Sequence, residues 1–132
     1  MAYRLSTLAR NLGCDAVGDA LNSGKIRCRT STQPTNVGDA DSGTLLATCT
    51  FGATAFGASS TGTKTANAIT SDTNAAASGT CTQARLYKSD NTTIHSDMSA
   101  GQGAGDLSFD NNVIVAGGTV AISSFTLTQP IS

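Results

Sequence analysis

From Lys25 onward, apolar residues recur at every second position, in short runs broken by glycine, asparagine and aspartate. A period of two places alternate side chains on one face of a β-strand, so this chain must build a sheet with one apolar face. KIRCRTS (25–31) sets Ile26 and Cys28 against Lys25, Arg27 and Arg29. GTLLATCTF (43–51) is a strand with Leu45, Ala47, Cys49 and Phe51 inward. Residues 63–70 read as a weak strand, and 81–88 and 92–98 as a hairpin turning at Ser89-Asp90-Asn91. LSF (107–109) and residues 113–116 are short strands, and Gly117-Gly118 makes a turn. Segments 33–43, 71–79 and 99–105 read as loops, and Phe56 as a core plug in the irregular stretch 52–62.

The last strand changes phase. Val120 and Ile122 have one parity, Phe125 and Leu127 the other. One extra residue at Ser123-Ser124 returns all four to the core, which is the action of a β-bulge; a strand leaving one sheet for another is the alternative. Both imply two packed layers. The sequence therefore predicts a mainly β fold, a β-sandwich or jelly roll of about eight short antiparallel strands, spanning residues 24–132.

Residues 1–23 form a separate helical segment. Leu5, Leu8, Ala9, Leu12, Ala16, Val17, Ala20 and Leu21 recur at three- and four-residue steps, which predicts an amphipathic helix over roughly 4–22. Gly13 and Gly18 weaken it by about 1 kcal/mol each, so it must dock on something. Gly24 is suited to a left-handed cap. Leu5, Leu8 and Leu12 are the candidate contact. They either meet a partner or a second protomer, or cap the sandwich's own core.

Composition excludes several functions. The net charge is −1, which argues against nucleic acid, whose phosphates call for a basic surface. Lys25, Arg27 and Arg29 cluster, either as the solvated face of a strand or as a basic stripe facing an acidic partner. No run approaches the ~20 apolar residues of a membrane span, and no secretory signal follows Met1. Folding in a reducing cytoplasm is the expectation. Cys14, Cys28, Cys49 and Cys81 contain no CxxC pair and read as buried free thiols; the competing reading is disulfides, for which four cysteines allow three pairings.

A catalytic constellation is missing from the pattern. His95 is the one histidine, with Asp97 two residues on, but no GxSxG accompanies it. Asp39-x-Asp41-x-Gly43 begins like a calcium loop, yet the twelfth position is Thr50. AGQGAG (100–105) is not followed by a helix pattern, so no dinucleotide site is expected. Trp is absent, and Tyr87 is the residue expected to offer an exposed ring. The expectation is a non-enzyme that needs no metal and no cofactor.

Five segments, in order, resemble a family of small tailed-bacteriophage proteins encoded among virion structural genes. They are GKIRCRTSTQP (24–34), GTLLATCTFGATAFGA (43–58), TANAITSDTNAAASGT (65–80), ARLYKSDNTTIHSDM (84–98) and VIVAGGTVAISSFTLTQP (113–130). The resemblance covers about residues 20–130, and the four cysteines depart from its usual pattern. It implies a capsid cement (decoration) protein with a β-sandwich or jelly-roll body and no catalytic residues. The implied partner is the major capsid protein, the location the capsid surface of the virion after synthesis in the host bacterial cytoplasm, and the assembly a homo-oligomer, a trimer on local threefold positions. A tail or fibre module binding a host surface through loops 33–43 and 99–105 is the competing expectation.

Overall fold

The structure, a computed structural model, describes residues 4–102, 107–109 and 111–128. Its one helix among them, α1 (Thr7–Asp19), is shorter than the apolar period suggests. Ser6 starts it, its Oγ accepting the Ala9 N–H at 3.1 Å, and one such cap is worth about 1 kcal/mol. The chain leaves the helix at Ala20, and the left-handed residue beyond it is Ser23 (φ 58°), not Gly24. Gly24 is needed for closeness instead. A Cβ there would lie 2.5 Å from the Tyr87 carbonyl oxygen and 2.8 Å from that of Leu21.

Ten strands follow among the described residues: β1 (Lys25–Arg29), β2 (Leu45–Phe51), β3 (Thr63–Thr65), β4 (Ile69–Thr70), β5 (Gly79–Thr80), β6 (Gln83–Tyr87), β7 (Ile94–Gln102), β8 (Leu107–Phe109), β9 (Val113–Ile114) and β10 (Ile122–Thr128). Eight of them form one sheet in the order β3-β10-β8-β7-β6-β1-β2-β4, and β5 pairs with β9 separately. The protein is mainly β with an N-terminal helix, as the period-two pattern requires. Its pairs are antiparallel except β7 with β8. β8 runs antiparallel to β10 on its other side.

The two edge strands, β3 and β4, are successive pieces of one segment, so the sheet rolls until its edges meet in residues 63–70. Beyond β4, Asp72 bridges to Val120 just ahead of β10. Rolling brings β2 opposite β10 and buries Phe51, Phe56 and Phe125 against each other, ring centroids 5.6–6.0 Å apart. Phe56 is thus the expected plug. The register of β10 shifts between Ile122 and Ser124, and Val120 and Phe125 are both buried, so the phase change is a bulge.

A second bulge was not legible. The β1–β2 register shifts between Cys28 and Arg29, whose partners are Ala47 and Leu45. The skipped Leu46 turns into the core and is fully buried, while Leu45, expected inward, is half-buried. Ser99–Gln102, expected in a glycine-rich loop, continue β7; the remainder of that loop lies outside the described residues.

Candidate functional site

β6 is buried on both faces. Ala84 and Leu86 enter the core, while Gln83, Arg85 and Tyr87 point to the outer face of the sheet, where alternation would leave them in solvent. Loop 30–44 folds over them. Gln83 Nε2 donates to the carbonyls of Thr30 (2.8 Å) and Thr32 (3.1 Å) and to Ser42 Oγ (3.1 Å). Arg85, 2% exposed, donates through Nη1 to the Asp39 carbonyl (2.7 Å) and Asp41 Oδ1 (2.8 Å). Its Nε and Nη2 hold both oxygens of Asp97, its cross-strand partner on β7, at 2.6 and 3.0 Å. Tyr87 Oη donates to Asp41 Oδ1 at 2.7 Å, and Arg29 Nη2 to Asp41 Oδ2 at 2.9 Å.

This cluster fixes charge states. Burial pushes the Asp41 carboxyl up, but hydrogen bonds from Tyr87 and Arg85 and the charges of Arg29 and Arg85 outweigh it, so it titrates below its ordinary range. Burial and then Asp41 push the Tyr87 phenol up. The hydrogen bond to Asp97 holds the Arg85 proton more tightly than usual. Carboxylates so engaged are poor general bases. Asp41 is also spent on cations of the chain itself, and among the described residues no group of three His, Cys, Asp or Glu could hold a metal.

The basic stripe is absorbed in the same way. Arg29 is paired to Asp41, and its buried Nε is the cluster's atom without a partner among the described residues. Arg27 lies over the Tyr87 ring at 4.3 Å and donates to Asn91 Oδ1 at 2.7 Å. Lys25 is half-buried. Tyr87, expected as an exposed ring, is buried beneath Arg27 and the loop. The stripe is therefore largely internal structure, not a free cationic face. Alternation along residues 83–87 puts Gln83, Arg85 and Tyr87 on one face but carries no sign of the loop that covers it. The cross-strand pair Arg85–Asp97 was the available signal.

α1 shows the opposite arrangement. It docks on β3 and β10 through its polar and small residues. Lys64 of β3, 3% exposed, places Nζ 3.0 Å from Asp15 Oδ1 and 3.6 Å from Asp19 Oδ1. Asn11 Oδ1 accepts the Gly62 N–H (2.8 Å), the Cys14 thiol reaches the Leu127 carbonyl (3.8 Å), and Gly18 lets the Lys64 stem and Phe56 pass at 3.2 Å from where a Cβ would stand. Leu8 (69% exposed) and Leu12 (61%) face outward, and Leu5 is half-buried. The reading that these leucines cap the chain's own core is thereby corrected: the body-facing side of the helix is held by hydrogen bonds and an ion cluster, and Leu21, beyond the helix, supplies the fully buried apolar contact.

His95 is half-buried. Its Nε2 lies 3.0 Å from the Val17 carbonyl and must carry the proton, so in the neutral ring Nδ1 accepts from Ser96 Oγ at 2.9 Å. Burial lowers its pKa, against the raising effect of the Val17 hydrogen bond. It ties β7 to the end of α1, beside a 380 Å³ cavity lined by residues of β7 and β10. All four cysteines are buried: Cys14 on α1, Cys28 on β1, Cys49 on β2 and Cys81 just ahead of β6, where its thiol donates to the Gln83 carbonyl at 3.3 Å. Comparison with protein-family models, curated proteins and solved structures finds no match to this chain.

Proposed function

We propose that the chain is a structural virion protein, a cement protein that binds the outer surface of a phage capsid and bridges major capsid subunits, stabilising the expanded head. The observation that carries this reading is the outward face of α1: two leucines more than half exposed on a helix whose polar side is spent on its own body. Such a face is unsatisfied by the fold and suits contact with protein. The rest of the molecule supports it. Loop 30–44 is bolted down by Arg85 and offers shape rather than chemistry. The ordered resemblance of five segments to virion accessory proteins points the same way.

The physics of cementing needs no active site. A protein that binds only the expanded shell stabilises that state by linkage. Many copies on a symmetric lattice add avidity to each modest contact. Co-sedimentation of the purified chain with expanded and unexpanded shells tests this. Saturable binding to expanded shells alone is the expected result; equal binding to both, or to neither, would overturn it.

A further inference from the structure

We infer that the opening between β7 and β10 is a slot for one extended strand of a partner protein, which binds by completing the sheet. β8 separates these two strands, and it is three residues long against their nine and seven. Its pairing starts at Leu107, beside Ala100 of β7 and Phe125 of β10. Beyond that point, among the described residues, 96–98 of β7 pair with β6 alone and 126–128 of β10 with β3 alone. The 380 Å³ cavity lies in the opening so left. Alternation decides which backbone groups face it. The Ala100 amide donates to the Thr82 carbonyl on the β6 side (3.3 Å), so Met98 and Ser96 also turn their backbone groups to β6, and Asp97 turns its N–H and C=O to the opening. On β10 the Phe125 carbonyl accepts the Ala66 amide (2.9 Å) on the β3 side. Leu127 therefore also faces β3, while Thr126 and Thr128 face the opening. Among the described residues no strand meets these groups.

Two strand edges with one strand missing between them stand roughly 9–10 Å apart, twice the spacing of paired strands. What fits is a backbone in the extended state, in line with β8 and hydrogen-bonded on both sides. β8 is parallel to β7 and antiparallel to β10, so a strand entering in either direction meets one edge of each kind. A small polar ligand finds no equivalent, because the ionisable side chains at the rim are engaged, Asp97 by Arg85 and His95 by the Val17 carbonyl. The inner wall is apolar, formed by Met98, Phe125, Leu127 and Val17. The partner segment therefore carries an apolar side chain where it points inward, polar residues on either side, and no proline along the paired stretch. The contact is short, so one copy binds weakly and many copies together gain by avidity. It uses none of the outward leucines of α1. Nor does it rest on the virion reading, since accepting a strand is a property of the chain in solution.

Amide hydrogen exchange of the full chain, followed residue by residue by nuclear magnetic resonance, tests it, with acetyl-Ser-Thr-Val-Thr-Ser-amide as the probe strand. In the free chain the Asp97, Thr126 and Thr128 amides should exchange faster than those of Met98 and Leu127, which pair with β6 and β3. The peptide at roughly ten times its dissociation constant should slow those three amides about tenfold. The same peptide N-methylated at its amides keeps its side chains but loses its donors, and should leave the three unchanged. Slow exchange of the three amides in the free chain would overturn the inference, because the edges would already be paired. Indifference to the peptide would overturn it as well. So would equal slowing by the N-methylated form, which would make the opening a side-chain pocket and not a strand slot.

Discussion

Arg85 on β6 and Asp41 in loop 30–44 are 44 residues apart in sequence and joined at 2.8 Å, from a guanidinium that is 2% exposed. The cation is buried on the outer face of the sheet because the loop covers it and adds the charge of Asp41 to that of Asp97 on β7. Replacing Arg85 with Met keeps most of its volume but removes the bidentate donor of Asp97 and leaves Asp41 with Tyr87 and Arg29 alone. Removing one member of a buried pair costs about 3–5 kcal/mol, and the partly open Asp41 side argues for the lower end. The expected outcome is a urea midpoint lowered accordingly, with new protease sensitivity confined to residues 32–42. Unchanged cleavage in R85M would show that the loop is held by something else.

Acid acts on the same joint. The folded pKa of Asp41 is lowered, so its contribution to stability is fully present above its unfolded value of about 3.9 and is lost as pH falls through the folded value. Stability of the wild-type chain should therefore fall below about pH 4. In Asp41→Asn that fall should be shallower, from a lower starting stability. Urea midpoints of both chains across this range measure it; parallel curves would contradict the assignment.

The loop's base carries a sharper steric demand. Gly43 has φ +70°, and a Cβ there would stand 2.1 Å from the Thr30 carbonyl oxygen. Gly43→Ala should cost roughly 1–3 kcal/mol. Gly38, in the same loop, has open space around it, and Gly38→Ala should fall within about 0.5 kcal/mol of wild type. Thermal unfolding of the two variants side by side checks the contrast.

The thiols predict a labelling pattern. Burial pushes Cys49 up to about 11, and Cys28 is raised by its contact with Cys81 and by burial. The contact with Cys28 lowers Cys81, but all four thiols are buried out of reach, so a maleimide or aromatic disulfide reagent should leave them unmodified in the native chain and modify four in urea. Fast modification of the native chain would show that the core opens readily.

Much of this fold was legible in alternation, and the limits of alternation explain what was missed. The slip from Ile122 to Phe125 could be read because four apolar residues disagree in parity. The slip at Leu46 could not, because Leu45 and Leu46 serve either register equally well. Alternation assigned Gln83, Arg85 and Tyr87 to one face, but it says nothing about whether a loop covers that face. The helix misled for a different reason. An apolar stripe usually faces the body, and here the body selects Asn11, Cys14, Asp15 and Gly18 because Lys64 and the Gly62 amide await them. That choice depends on where β3 lies, which no local pattern encodes.

We propose that this chain works as a surface component of a phage head. Immunogold labelling of intact virions, with an antibody raised against the purified chain, tests it most directly. Gold distributed over the head is the expected result. Gold confined to the tail, or absent from both head and tail, would contradict it.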